Sequence, residues 1–288
     1  MRIAITGSDG RIGRMITQDL FKSGFEIVAV NRSHLMASKK SIEARYADLS
    51  NPGEAYEALK GVDAIVHLAA ISSPGVKDNS EVFSNNVVAT YNVLEAAYAH
   101  NILRVVVASS IAVIGTVFCG MFDNDKFVVN YLPIDEEHPL YPIDPYGLSK
   151  QIDELTGLSF SRRRRDMTII ALRFSWVTFP ADYVEIARQA NIVPGMVNTL
   201  WSYVDIRDVA KAIHLSLRAK VTGFETVNIT AADTLSLIPT QELIACYLPQ
   251  SHIVNNSFSD RATLFNLKKA TDLLGYMPIY TWSQYINQ

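Results

Sequence analysis

The chain reads as an α/β fold, a doubly wound parallel sheet with a smaller carboxyl-terminal lobe. Three observations carry this. Over the first two-thirds of the 288 residues, short β-branched runs alternate with longer segments of helical periodicity, as a parallel sheet covered by helices on both faces requires. A glycine-rich turn, Thr6-Gly7-Ser8-Asp9-Gly10-Arg11-Ile12-Gly13, directly follows the first of those runs. Past Arg173 the alternation becomes irregular, and Pro180, Pro194-Gly195 and Pro239 punctuate it.

The elements follow in order. Residues 3–6 are apolar or β-branched and form the first strand, and residues 12–23 form the helix that the glycine turn opens. Strands are expected at 26–30, 43–47, 64–68, 104–108 and 168–172, each rich in Val, Ile or Ala. Between them, helical patterns cover 52–59, 80–100 and 146–161. Ser50-Asn51-Pro52 reads as a helix start, because proline fits the first turn. Residues 205–217 read as one more amphipathic helix with its approach. Residues 1–173 thus carry the sheet. Residues 174–288 are expected to form a lobe over the sheet edge, with returns to the sheet, and not an independently folding domain.

Composition excludes several classes. A net charge of −3 gives no reason to expect nucleic acid or an anionic membrane as partner. The one basic run, Arg162 to Arg165, suits a solvated helix end, where cations meet the negative dipole. Cys119 and Cys246 are too few and too far apart for a disulfide framework or a metal site, so a reducing compartment is expected. The opening residues reach the glycine turn too soon for a signal peptide. The longest apolar stretch, residues 105–118, is too short to span a bilayer and includes Ser109 and Ser110. A soluble, cytoplasmic protein is the expectation.

The glycine turn carries the first chemistry. One glycine permits the tight turn, one lets backbone approach a diphosphate, and one lets the helix pack closely on the strand. The helix amino terminus then offers unpaired N–H groups and positive dipole to phosphate. Gly7, Gly10, Arg11, Ile12 and Gly13 are therefore expected to hold a dinucleotide. A carboxylate at the end of the second strand would hold both ribose hydroxyls of NAD and repel a 2′-phosphate. Here the strand ends in Asn31-Arg32-Ser33, with no carboxylate. Arg32, Ser33 and Arg11 favour NADP over NAD, while Arg32 stacked on adenine or turned to solvent is the plainer alternative. Asp48 and Leu49 follow the third strand, where they can border the adenine.

A second device lies far downstream, in Tyr146-Gly147-Leu148-Ser149-Lys150. Residues four apart share a helix face, so Tyr146 and Lys150 can reach one cavity. A free phenol, with a pKa of about 10, is a poor base at neutral pH, and lowering it by about 3 units takes roughly 4 kcal/mol. A neighbouring ammonium and a positive nicotinamide ring can supply much of that. The pair stands one strand beyond Ser109-Ser110, whose hydroxyls emerge at a strand's carboxyl end, along the edge where open parallel sheets bind ligands.

Glycine turn, strand-end serines and Tyr-x-x-x-Lys in this order resemble the short-chain dehydrogenase/reductase superfamily, and more specifically its extended branch, the NAD(P)-dependent epimerase/dehydratase family. The likeness covers almost the whole chain. Thr6 to Gly13 matches T-G-x-x-G-x-x-G, and His67-Leu68-Ala69-Ala70 matches an H-x-A-A segment. Residues 85–92 match an asparagine-bearing helix, Ser109-Ser110 through Gly115 match S-S-x-x-V-Y-G, and Asp205 to Ala210 resemble the start of a late helix. Leu267 to Ala270 with Leu274-Gly275-Tyr276-Met277-Pro278 resemble the family's carboxyl-terminal motif. The resemblance implies a Rossmann-type domain that carries the catalytic residues and a substrate-binding lobe after residue 173. It implies Tyr146 as acid/base and Lys150 as the residue that tunes it. Ser110 would hydrogen-bond the reacting oxygen, and Asn86 would support the active-site helix or a relay water. Leu68, Ala69, Ala70 and Phe174 would join the cofactor site. Ser72, Trp176 and Trp201 would join Ser110 around the substrate. It also implies a homodimer, in which the helices carrying Asn86 and Tyr146 pair across a two-fold axis. Ala89, Val93, Ala96 and Ala97 offer a small-residue face for that pairing, or equally for packing on the sheet.

Departures from the family narrow the chemistry. Sugar-nucleotide dehydratases carry an Asp-Glu pair after the active-site hydroxyl, where this chain has Ile111-Ala112. Neither side chain transfers protons, which argues against elimination. Trp176 takes the place of an asparagine, and Trp201 that of a diphosphate-binding arginine. The substitutions suggest a smaller, drier pocket for a free sugar, a sugar acid or another small alcohol or carbonyl. The plainer alternative makes both tryptophans core residues. Residues 116–144 form a long excursion with Cys119, Asp123, Asp125, Asp135, Glu136, Glu137 and His138. It reads as an ordinary surface loop or as a substrate lid that brings Cys119 or His138 near the pocket. Its acidic residues have no metal-ligand pattern. The sequence thus points to an NAD(P)-dependent oxidoreductase of a small sugar-like substrate. A sugar or nucleotide-sugar epimerase on bound NAD(P) is the rival, and a non-catalytic dinucleotide sensor the reading from another class.

Overall fold

A computed structural model describes residues 1–32, 42–122, 128–189, 193–254 and 258–285. Its centre is a seven-stranded parallel sheet made of β1 (Arg2–Thr6), β2 (Glu26–Asn31), β3 (Glu43–Tyr46), β4 (Ala64–His67), β5 (Arg104–Ser110), β7 (Thr168–Phe174) and β10 (Gly223–Ile229). The helices between them are α1 (Arg11–Lys22), α2 (Pro52–Ala58), α3 (Asn79–Ala99), α4 (Pro145–Arg163) and α6 (Ile206–Arg218). The lobe adds two short strand pairs, β6 (Tyr131–Leu132) with β11 (His252–Ile253) and β8 (Trp176–Thr178) with β9 (Tyr203–Asp205), together with α5 (Tyr183–Gln189) and α7 (Thr240–Tyr247), while α8 (Lys268–Leu274) packs against β10 and α6.

The strand order is β10-β7-β5-β4-β1-β2-β3. The chain builds outward from β1 to β3, then crosses back to lay β4 beside β1. A crevice opens at that reversal, beyond the carboxyl ends of β1 and β4. Side-chain alternation builds the two layers. Ile3 and Ile5 of β1 face a core with Ile16 and Leu20 of α1 and Val209 and Ile213 of α6. Ala4 faces the other way, into a core with Ala89, Val93 and Ala97 of α3 and Phe160 of α4. All four small residues of α3 proposed for dimerisation are therefore buried under the helix. Packing on the sheet is their role, and the plainer of the two alternatives holds.

The expected elements of the first 173 residues are present, with β5 and β7 each running two residues further than expected, to Ser110 and Phe174. The strand β10, paired with β7 along its whole length, was not expected as an element. The excursion at 116–144 is not a surface loop. Val129, Leu132 and Ile134 are buried with Leu243, Leu264 and Phe265 of the carboxyl-terminal lobe, and Ile134 bridges to Phe265. Asp123 and Asp125 lie outside the described residues. Among the described residues no helix is long and apolar enough to cross a membrane.

Candidate active site

A cavity of about 740 Å³ occupies the crevice. Its floor is the glycine turn and the amino end of α1, lined by Gly7, Gly10, Arg11, Ile12 and Gly13. Gly10 is the N-cap residue of α1 and offers no side-chain cap, so the first N–H groups of the helix remain open to a ligand. A Cβ on Gly13 would stand 2.1 Å from the Gly7 carbonyl oxygen, so helix and turn approach closely only because the side chain is absent. An uncapped twelve-residue helix facing a crevice fits a cofactor diphosphate.

Leu68, Ala70 and Ser72 form one wall, and Ala108, Ser109, Ser110 and Ile111 the next. Ser110 is the N-cap of a 3₁₀ turn, and its Oγ accepts from the Ala112 N–H at 3.1 Å. That contact leaves the Ser110 hydroxyl proton available to a substrate oxygen. Asp144 caps α4 by accepting from the Gly147 N–H at 2.8 Å, with Pro145 in the first turn. Burial raises the Asp144 carboxyl above its ordinary value, against the backbone donors that favour its charge. A Cβ on Gly147 would lie 2.6 Å from the Ala112 carbonyl. That close approach seats α4 on the turn after Ser110 and brings Tyr146 and Lys150 to the same cavity. Lys150 Nζ lies 5.9 Å from the Tyr146 ring centroid, and Phe118 meets that ring edge-on at 6.0 Å.

Lys150 is buried and ion-paired to Asp153, one turn further along α4, at 3.1 Å. Burial alone would lower the Lys150 ammonium, yet Asp153, Tyr146 and Glu154 raise it above its ordinary value. Next to this pair, Glu154 receives the Ser109 hydroxyl at 2.7 Å and two guanidinium bonds from Arg173 at 2.8 Å. This fork ties the carboxyl ends of β5 and β7 to α4. The buried His67 imidazole is depressed to about 3 by burial and by Lys150, so it is neutral.

The rest of the wall comes from the excursion and the lobe: Val117 and Phe118, Phe174, Ser175, Trp176, Val177, Phe179, Met196 and Thr199. Arg11 donates to both oxygens of Asp182 at 2.6 and 2.7 Å and lies 4.0 Å over the Phe179 ring. Turn and lobe are thereby clasped across the cofactor crevice. Among the described residues lining the cavity, Arg11 and Lys150 are the only cations.

The other expected residues divide between the cavity lining and its surroundings. Trp201 is completely buried beside Leu200, Leu243 and Phe265 and does not line the cavity; its indole meets the Tyr247 ring at 5.5 Å. Trp176 does line it, half-exposed at the mouth. Asn86 is not a cavity group. Its amide clamps both backbone groups of Ile71 and the Ser149 hydroxyl, which ties α3 to α4. Asn31 turns back to bond Ser8 and the Asp9 N–H, holding the glycine turn from behind. Arg32 reaches Asn85 at 3.3 Å, away from the cavity wall. Ser33 lies outside the described residues. Asp48 binds Ser50, whose two donors hold its carboxyl low, and Leu49 is buried, its carbonyl taken by Asn92. Ala69 sits directly against Gly7. His138 accepts from the Asn130 N–H and donates to the Pro139 carbonyl, a structural role within the excursion. Neither His138 nor Cys119 lines the cavity.

The sequence reading missed Phe118, Phe179, Met196 and Thr199, which no local pattern marks as pocket residues. It missed Asp153 as well, although the i, i+3 spacing from Lys150 could have shown it.

The chain is similar in sequence and fold to known proteins. The family model described as NAD dependent epimerase/dehydratase family matches residues 3–230. The L-arabinose 1-dehydrogenase (NAD(P)(+)) of Haloferax volcanii is 26% identical over 87% of this chain and 97% of its own length. A putative UDP-glucose 4-epimerase of Methanocaldococcus jannaschii is 28% identical over 79% of this chain and 76% of its own. Among solved structures, a short-chain dehydrogenase/reductase superfamily protein of Agrobacterium tumefaciens with bound NAD superposes with a TM-score of 0.74. It covers 100% of this chain and 95% of its own, at 24% identity.

Proposed function

The chain belongs to the NAD dependent epimerase/dehydratase family, and on that premise we propose that it is an NAD(P)-dependent oxidoreductase of a small, sugar-like alcohol or carbonyl. One observation carries the reading: the glycine turn, Ser110, Tyr146 and Lys150 line a single cavity. Bound nicotinamide supplies the hydride acceptor or donor. In the oxidative direction, Ser110 donates its hydroxyl to the substrate oxygen and Tyr146 takes the substrate's hydroxyl proton as the hydride leaves carbon. Lys150 stabilises the phenolate and would hold the nicotinamide ribose. Phe118, Trp176 and Met196 exclude water from the reacting carbon.

The sparse cationic lining favours a substrate without a diphosphate, in keeping with the arabinose dehydrogenase relative. A sugar epimerase, which returns the hydride to the opposite face, draws on the epimerase relative. For the cofactor, exposed Arg32 and the absence of a carboxylate at the end of β2 favour NADP. A second reading, NAD, draws on Asp9, whose two carboxylate oxygens are buried with no hydrogen-bond partner among the described residues. They lie beside the end of β2, where they can accept from ribose hydroxyls.

A homodimer is proposed through α3 and α4, where Val88, Tyr91, Leu148 and Leu155 are exposed. A cytoplasmic location agrees with two cysteines that form no disulfide. The test is a titration with NADPH and NADH, then a panel of free sugars, uronic acids and nucleotide sugars followed at the nicotinamide band. Net absorbance change with a non-nucleotide substrate, abolished by Tyr146→Phe while cofactor binding survives, is the expected result. Isomerised product without net change would replace the dehydrogenase by the epimerase. Turnover that persists in Tyr146→Phe would overturn the acid/base assignment.

A further inference from the structure

We propose that Asp153 is a positioning residue for Lys150, placed where a row of buried polar side chains from the end of β1 meets the lysine beside Tyr146. The inference rests on the reading of Tyr146 and Lys150 as the acid/base pair.

The row begins at Thr6, the last residue of β1. Thr6 Oγ1 accepts from the Leu68 and Ala69 N–H groups, both at 3.2 Å, so its own proton is directed to His67 Nδ1 at 2.7 Å. The imidazole is neutral, so Nδ1 accepts and the proton sits on Nε2. Nε2 donates to Thr90 Oγ1 at 3.1 Å. Burial raises the Asp153 carboxyl above its ordinary value, against the Lys150 ammonium and the Thr90 hydroxyl, which both favour its charge. Asp153 Oδ2 receives the Lys150 ammonium at 3.1 Å. Every member is buried; the donors run from Thr6 through His67 to Thr90, and Lys150 donates to Asp153 from the opposite side.

Stability does not account for the arrangement. A buried ion pair is commonly no better than apolar residues of the same volume. The other charged groups around Lys150 are already committed. Glu154, from the same helix, is held by the Arg173 fork from β7; His67, from β4, is neutral; and Tyr146 is the group to be activated. Asp153 is therefore the carboxylate that keeps the dehydrated lysine an ammonium and fixes its distance from the phenol. A buried lysine stripped of its partner tends to lose its proton, and a neutral amine stabilises a phenolate poorly.

The test reads the phenolate directly and needs no substrate. Tyrosinate absorbance is titrated with NADP⁺ bound, and the Tyr146→Phe background is subtracted to isolate Tyr146. In Asp153→Asn, which keeps the shape and removes the charge, the midpoint is expected to move up by about one pH unit or more, with about tenfold less phenolate at neutral pH. Thr90→Val is expected to move it the same way by a smaller amount, and it decides the matter should Asp153→Asn fail to fold. An unmoved or lowered midpoint in the variants that fold overturns the proposal. With turnover lost in Tyr146→Phe, such a result removes the role of Asp153 and leaves the active-site reading standing. Turnover retained in Tyr146→Phe removes both.

Discussion

Gly13→Ala tests the link between close packing and cofactor binding. The new Cβ would lie 2.1 Å from the Gly7 oxygen and 2.7 Å from Ser8 Cα, both backbone atoms that cannot rotate away. Helix and turn must part by about 0.9 Å to reach even a 3.0 Å contact. Overpacking of this kind costs about 1–3 kcal/mol of stability. The larger effect falls on ligand: N–H groups set for phosphate oxygens at about 2.9 Å would move toward about 3.8 Å, beyond hydrogen-bonding reach. Losing one or two charge-assisted bonds corresponds to about 2 kcal/mol or more, hence roughly 30-fold weaker NADPH binding. Gly24→Ala is the control. Its φ of +86° strains any side chain, but nothing lies within 4 Å of its Cβ position, so it should cost stability and leave affinity alone. Fluorescence titration with NADPH and urea unfolding of both variants supply the comparison. Binding by Gly13→Ala within threefold of the parent would refute the close-approach argument.

The Glu154–Arg173 pair is almost wholly buried, so Glu154→Ala should cost about 3–5 kcal/mol in urea unfolding while Glu154→Leu with Arg173→Met recovers most of it. For His67, the folded value of about 3 lies below the unfolded 6.5. The unfolded chain therefore takes up a proton first, and stability is lost as pH falls from about 6.5 toward 3. At pH 5 the loss is about 2 kcal/mol, measurable as the difference between the parent and His67→Asn. The Arg11–Asp182 clasp is solvent-exposed on the arginine side, so Asp182→Ala should leave unfolding within about 1 kcal/mol of the parent. It should also free Arg11 for phosphate and tighten NADPH binding a few-fold, whereas Arg11→Ala should weaken it about tenfold.

Helix α3 shows how far a helix pattern can be read. The small residues Ala89, Val93, Ala96 and Ala97 are regularly spaced, but spacing does not say which of two apolar surfaces they meet. Here they meet the sheet, and Val88 and Tyr91 face outward. The two tryptophans make the same point. Trp176 and Trp201 occupy comparable places in the motifs, yet one borders the cavity and the other fills the core below it.

What the sequence by itself determined is local: the strand and helix periods, the glycine turn, the serines at a strand end, and two residues four apart on one helix face. Each follows from backbone sterics and hydrogen bonding within a few residues, so it is written in consecutive letters. Only the tertiary structure decided which distant groups share a buried space. It joined Thr6, His67, Thr90 and Asp153 behind Lys150, set Asp182 on Arg11, and paired the excursion at 131–132 with residues 252–253. Those contacts span up to 171 residues of chain. They depend on the order in which strands and helices are laid down, which no local pattern records.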